Sequence, residues 1–342
     1  MKNNYDVVII GAGPGGLQAA KFLAQNGKNI LVIEKNKTII EKTCGGLMSI
    51  RALKFNIPDE IIEKKYNNMF IITQRKKEVI KQKKPFVFIV SRKELGKWQK
   101  KETEKACAEI LMNCNALQIN ENDIITNNGT FGFEYLIGAD GANSIVRKSL
   151  NIITDELLLA FHYRIPGKFK NIEFFVDPSR FKGFTYFWII PHKNHASIGT
   201  GIDVGKSIKL DHIKGELIKW IQEKGLSIKN AKFEAAPINY DFEGFKFKNK
   251  YLIGDAAGLT SGIYGEGIYS AMLSGEEVAK KILNKNYDMK ELYSYIRKIN
   301  YHENLLRTLE INEISAEIIF ELLVSALRSK FIADKFIEFF IK

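Results

Sequence analysis

The residues able to do chemistry in this chain come in glycine-marked clusters. The first is Gly11, Gly13, Gly15 and Gly16, a G-x-G-x-x-G spacing with one extra glycine, followed at the end of the next apolar run by Glu34 and Lys35. In this pattern Gly11 allows a tight turn, Gly13 lets backbone approach a pyrophosphate, and Gly16 lets a helix pack closely on a strand. The helix that follows turns free N–H groups and a partial positive charge toward phosphate. Glu34 stands where a ribose hydroxyl needs an acceptor. The chemistry is dinucleotide binding, and this motif alone does not choose between NAD and FAD.

Further clusters follow along the chain. Cys44-Gly45-Gly46 joins a thiol to backbone that can approach another group closely. Arg92 puts a cation at a helix start, where the dipole disfavours it unless an anion, either a ligand or a surface acid, is close. Gly138-Ala-Asp140-Gly141, with Arg147 after it, belongs at the carboxyl edge of a sheet, where ligands bind in open α/β folds. Gly254-Asp255 and Gly265-Glu266-Gly267-Ile268 form a second strand–glycine–helix passage. Tyr186 and Trp188 alternate with Phe187 and so share one strand face, either to line an elongated apolar cavity or to pack in the core. His192 and His195 straddle a turn with no acid or third ligand at useful spacing, so no metal site is expected.

The elements that must position these residues can be read from periodicity. Residues 7–10 and 30–33 are continuous apolar runs, as in strands buried on both faces, and 17–26 has helical spacing between them. Residues 50–65 read as helix broken at Pro58. Residues 69–73, 78–82 and 86–90 read as short strands opening a second sheet. A helix is predicted over 91–110, capped by Ser91 with Glu94 at capping-box distance. Residues 113–119 are expected as the third neighbour of the parallel sheet, and 123–133 as a hairpin. Strands at 157–165, 172–177, 183–190 and 195–202 continue the second sheet. Helices are expected at 209–224, 268–283 and through most of 289–342.

The expected fold is α/β: a Rossmann-like nucleotide-binding domain (1–48, 91–155 and 249–285) interleaved with a mostly antiparallel β-sheet substrate domain (49–90 and 156–248), then C-terminal helices (286–342). With 342 residues and 45% hydrophobic content the chain can bury a full core. It has no apolar run long enough to span a bilayer, and a strand by Asp6 leaves no room for a signal peptide. Three cysteines without a C-x-x-C suit a reducing cytoplasm. The net charge of +12 fits nucleic acid, an anionic membrane surface or acidic substrates. Its lysines are scattered, which favours a solvated surface, and nucleic acid is not expected as a partner.

Three motifs in this order resemble the FAD-dependent oxidoreductases of the para-hydroxybenzoate hydroxylase fold, with GR2-type nucleotide binding. Lys42-Thr-Cys44-Gly45-Gly46, Tyr186-Phe-Trp188-Ile-Ile-Pro191 and Gly265-Glu266-Gly267-Ile268 narrow the likeness to the geranylgeranyl reductase family. Aromatic hydroxylases usually carry Gly-Gln-Gly at the last of these. The resemblance implies non-covalent FAD, held by Gly15, Glu34, Cys44, Gly45, Arg92, Ala116, Asp255, Gly267 and Ile268. It also implies an isoprenoid or lipid-like substrate. Gly262 stands where the family usually has proline. With no second dinucleotide fingerprint, NAD(P)H or another reductant would dock transiently. Cys44, Tyr186 and Trp188 are the candidate catalytic residues, Cys44 being either a proton donor or a small apolar filler. The expected activity is saturation of isoprenoid double bonds. A flavin monooxygenase of small or aromatic compounds and a non-catalytic FAD protein at a membrane surface are the alternatives.

Overall fold

The structure is a computed structural model that describes residues 3–39, 43–177, 180, 185–205, 209–309 and 313–341. The chain divides into two compact units. One comprises Met1–Glu41, Lys93–Leu157 and Ile238–Tyr301, the other Lys42–Arg92, Leu158–Pro237 and His302–Lys342.

The first unit is built on strand Asn3–Ile10, whose Val7, Val8 and Ile9 are wholly buried. It pairs in parallel with Ile30–Glu34 on one side and Gly129–Gly138 on the other. Glu109–Met112 and Lys250–Leu252 extend the parallel run at its two ends. Strands buried on both faces need continuous Val, Ile and Leu, and these runs have them. Helix Pro14–Gln25 lies against helix Ile268–Leu283 at unusually small separation. A Cβ on Gly15 would stand 2.7 Å from the Ala271 carbonyl oxygen, and one on Gly275 would stand 2.4 Å from that of Gly15.

Two expectations in this region are corrected. The helix predicted over 91–110 ends at Lys105, and the third parallel neighbour is Glu109–Met112 rather than 113–119. Cys107 (φ 66°) and Asn113 (φ 55°) both adopt the left-handed conformation, which breaks the chain on either side of that strand. Residues Ala116–Ile119 pair antiparallel with Asp123–Thr126 instead.

The second unit holds a seven-stranded sheet in the order Lys232–Asn239, Leu157–Pro166, His195–Asp203, Tyr186–Pro191, Glu173–Val176, Asn68–Ile72, Lys77–Lys81. One face packs Phe161, Phe175, Phe187 and Ile198 against Ile213, Leu217 and Trp220 of helix Leu210–Glu223. A separate cluster joins Met69, Ile80 and Ile190 to Val324, Ala333 and Ile337 of the C-terminal helices Glu313–Ala326 and Lys330–Phe340.

The helix expected over 50–65 is replaced by two 3-10 turns, Ile50–Phe55 and Asp59–Ile61, and a strand, Ile62–Tyr66. Asn56 at φ 58° closes the first turn, and the extended Pro58, which has no N–H to donate, keeps the second turn separate from it. That strand, with Leu47–Ser49 and Val87–Val90, makes a third small sheet. Of the three strands expected at 69–90, only the first two therefore join the large sheet.

Candidate functional site

Three glycines of the first unit converge on the carboxyl end of strand Asn3–Ile10. Gly11 turns the chain at φ 106°, and a Cβ there would lie 2.4 Å from the Ala139 carbonyl oxygen. Gly16 faces the Gly11 carbonyl so closely that a Cβ would stand 2.1 Å from it. Gly13 differs from both: a Cβ would meet only the Ala139 oxygen, at 3.9 Å. It caps helix Pro14–Gln25 without any side-chain cap. Gly11, Gly15 and Gly16 thus serve packing, while Gly13 leaves an open approach to a helix N-terminus, the arrangement that receives phosphate.

Glu34 closes the neighbouring strand. Its carboxylate accepts from the Ala12 N–H at 2.9 Å and from the Asn36 N–H at 3.0 Å, so it is fixed beside the glycine loop. The Asn36 side-chain amide also donates to Oε1, which leaves Oε2 with a lone pair that can accept a ribose hydroxyl. Lys35 beside it is exposed. Cys114 N–H donates to the Glu34 carbonyl oxygen at 2.9 Å, which brings the segment before Ala116 to the same strand end. Ala116 itself is buried.

Asp140 follows the next parallel strand, and the Ala139 N–H donates to Ile10 O at 2.8 Å. One Asp140 oxygen accepts from Ile145 N–H at 2.7 Å, while Oδ1 is buried with no hydrogen-bond partner among the described residues. Burial pushes this carboxyl upward. Arg147, expected at the sheet edge with it, is turned inward: its guanidinium pairs with Asp241 at 3.0 Å and donates to the Ile153 carbonyl at 2.9 Å.

The late motif forms a second glycine-opened helix. Asp255 Oδ1 accepts from Thr260 Oγ1 at 2.7 Å. A Cβ on Gly267 would meet those two side chains, at 2.8 Å from Thr260 Oγ1 and 3.2 Å from Asp255 Oδ1. Gly267 caps helix Ile268–Leu283 with no side-chain cap, and Gly265 stands at φ 66° before it. The motif reading missed Thr260, although a hydroxyl five residues after an acid is visible in the sequence. An open N-terminus at Gly13, a pinned acceptor at Glu34, an orphan buried oxygen at Asp140 and a carboxylate at a second N-terminus suit the donors and acceptors of a flavin dinucleotide. Arg92 opens helix Arg92–Lys105 and is 8% exposed.

The second unit carries Cys44, Gly45, Tyr186 and Trp188. The half-buried Cys44 is a free thiol whose sulfur accepts from Gly46 N–H at 3.4 Å. Gly45 lies over the sheet, since a Cβ there would stand 2.6 Å from Ile190 Cδ1. Gly46, at φ 70°, accepts from Val90 N–H at 3.0 Å. His192 clamps the loop: Nε2 donates to Gly45 O at 3.0 Å and Nδ1 lies 3.2 Å from Glu63 Oε1. His195 stacks on it with ring centroids 4.5 Å apart. Among the described residues no three His, Cys, Asp or Glu cluster as metal ligands. This clamp was not foreseen, because Glu63 lies 129 residues away in sequence.

Tyr186 and Trp188 are half-buried on one sheet face, and Phe187 is sealed beneath on the other. Their rings are 6.2 Å apart, and Phe174 meets Tyr186 edge-on at 5.6 Å. Burial pushes the Tyr186 phenol upward, so it stays protonated at neutral pH. Trp188 Nε1 donates to Ser197 Oγ at 3.1 Å. The aromatic row and the Cys44 loop thus meet at Ile190 and Ser197.

Comparison with known proteins agrees with this arrangement. The sequence profile of the family described as FAD binding domain matches residues 4–286. Digeranylgeranylglycerophospholipid reductase 1 of Methanosphaera stadtmanae is 32% identical over 346 residues, covering 89% of this chain and 82% of its own. The chloroplastic geranylgeranyl diphosphate reductase of Arabidopsis thaliana is 28% identical, over 85% of this chain and 70% of its own. Among solved structures, a geranylgeranyl bacteriochlorophyll reductase-like protein of Thermoplasma acidophilum superposes with a TM-score of 0.73 at 21% identity, over 100% of this chain and 94% of that one.

Proposed function

Because this chain belongs to the geranylgeranyl reductase family of FAD-dependent oxidoreductases, we propose that it saturates carbon–carbon double bonds of isoprenoid chains on lipid-like substrates. Bound FAD, once reduced by NAD(P)H or another donor, supplies the hydride. Gly13, Glu34, Ala116, Asp140, Asp255, Gly267 and Ile268 hold the dinucleotide, with Lys35, Gly265 and Arg92 contributing beside them. The protein's remaining tasks are to orient an alkene, exclude water and deliver a proton.

The observation that carries this reading is the aromatic row Phe174, Tyr186 and Trp188 beside the Cys44 loop. A prenyl chain has no polar group near its reacting carbons, so shape and burial must place it. Trp188 and Tyr186 form the wall, and the Cys44 Sγ–H is the proton donor at its edge. The substrates named for the relatives, a diphosphate and a glycerophospholipid, support a prenyl-bearing anionic molecule. The positive net charge suits such a molecule and supports peripheral attachment on the cytoplasmic side of an anionic membrane.

Stopped-flow mixing tests the reading. Anaerobically reduced enzyme should regain oxidised-flavin absorbance with a prenyl lipid, and Trp188→Ala should slow this by more than it lowers FAD content. Flavin that stays reduced with every prenyl lipid, yet reoxidises with oxygen and a small aromatic, replaces this reading with a monooxygenase.

A further inference from the structure

The face that carries Tyr186 and Trp188 also holds a buried polar chain that hydride transfer does not require. Strand register builds it. Gly199 is paired with Trp188 on one side and with His162 on the other. A Cβ on Gly199 would stand 2.7 Å from the indole Cζ2 and 2.4 Å from His162 Cβ, so glycine leaves the room across which the indole lies. Ser197, two residues earlier, faces the same way. Trp188 Nε1 lies 3.1 Å from Ser197 Oγ, which lies 2.9 Å from His162 Nδ1. His162 Nε2 lies 3.0 Å from Glu234 Oε2, which also takes Arg164 Nε at 2.8 Å.

Donor counting gives this chain one direction. An indole N–H only donates, so Ser197 accepts it and passes its own hydrogen to Nδ1. His162 is then the Nε2–H tautomer, assigned from the network, and donates to an ionised Glu234. Burial disfavours the charged form of His162, as this tautomer requires. Burial pushes Glu234 upward, but hydrogen bonds from Lys232 and His162 outweigh it and hold the carboxyl below its ordinary range.

Ser197 and His162 are each 1% exposed. On the opposite face, the neighbouring positions 161, 187 and 198 are Phe, Phe and Ile. Burying a serine and a histidine where apolar residues would pack costs desolvation, and the group at the end of the chain is the half-exposed indole. The loop bearing Cys44 rests on the same spot, since a Cβ on Gly45 would stand 3.8 Å from Ser197 Oγ.

We propose that Ser197 and His162 are positioning residues that lock the Trp188 indole in one orientation against the Cys44–Gly46 loop, with Glu234 and Arg164 as the anchor. The orientation stands on geometry alone; its consequence for substrate rests on the reductase reading above. Fixing the indole plane sets the width of the apolar slot and so which segment of a prenyl chain is held.

The test is a 1H–15N spectrum of the FAD-loaded protein, whose three tryptophans give three indole signals, with Trp188→Phe identifying the relevant one. Ser197→Ala and His162→Gln should both shift it and speed its exchange with solvent about tenfold, the loss expected for one buried hydrogen bond. His162→Asn, whose amide oxygen can replace Nδ1 as acceptor but gives up the bond to Glu234, should shift it less than His162→Gln does. With a prenyl lipid, Ser197→Ala should raise KM more than it lowers kcat. An indole signal unmoved in both Ser197→Ala and His162→Gln overturns the proposal. Shifted signals in a protein that reduces no prenyl chain leave the positioning intact and remove the reductase reading.

Discussion

Gly13 and Gly16 stand three residues apart and answer to different physics, which a pair of substitutions can separate. A Cβ at Gly13 makes only an ordinary contact, with the Ala139 oxygen, on an ordinary backbone, so Gly13→Val should leave the apoprotein's stability within about 1 kcal/mol while blocking phosphate. FAD affinity should fall by at least about tenfold, read by flavin absorbance titration. Gly16→Ala drives a methyl into the Gly11 carbonyl and should cost about 3 kcal/mol of stability with or without FAD. The spacing of these glycines told of a turn and a phosphate approach. It did not reveal that Gly15 serves helix Ile268–Leu283, because its contact, Ala271, lies far along the chain. His195 carries a pH signature of its own. Burial, then the charges of His192 and Arg164, hold it at about 4, while the unfolded chain takes up the proton near 6.5. Between those values the unfolded state binds more protons, so stability is full above 6.5 and falls as pH drops toward 4. His195→Asn should flatten that slope in urea titrations at stepped pH, and His162, lowered by burial in the same direction, leaves a remainder.

Elements are held by close backbone approach as much as by apolar area. Gly275 touches Gly15 so nearly that Gly275→Val must push the two helices apart, at a cost of about 3 kcal/mol and several degrees of Tm. Thermal unfolding of the apoprotein measures it, and an unchanged Tm would mean the helices are not in contact. The buried parallel strands were legible because both faces demand continuous apolar residues. The boundary at 106–113 was not, since Ile110-Leu-Met also fits the end of a helix and only the left-handed Cys107 and Asn113 decide. Strand Lys232–Asn239 escaped notice because Ala235, Ala236 and Pro237 interrupt the alternation that Lys232, Phe233 and Glu234 begin, and Glu234 meets His162 and Arg164.

At the scale of the whole molecule, the cofactor class and fold could be read from three motifs in order, while the polar chain behind Trp188 could not, because its members come from separate strands. No helix of the described residues is long and apolar enough to cross a membrane. Ile318, Ile319, Leu322 and Phe331 are nonetheless exposed on the C-terminal helices of a chain with net charge +12. Such a surface suits interfacial binding. Removing these helices would strip Val324, Ala333 and Ile337 from a packed cluster, so surface substitutions are the cleaner probe. Leu322→Glu with Phe331→Glu should weaken co-sedimentation with anionic vesicles about tenfold or more, and equal binding by both forms would remove this surface from the account.

Reduced enzyme should add hydrogen to an isoprenoid chain. This is tested most directly by anaerobic incubation of photoreduced protein with a panel of polyprenyl lipids, read by mass spectrometry. Products heavier by two hydrogens per double bond are expected, with Cys44→Ser slowing their formation while the protein as purified stays yellow. Prenyl lipids returned unchanged, together with oxygen inserted into a small aromatic compound under air, would contradict it.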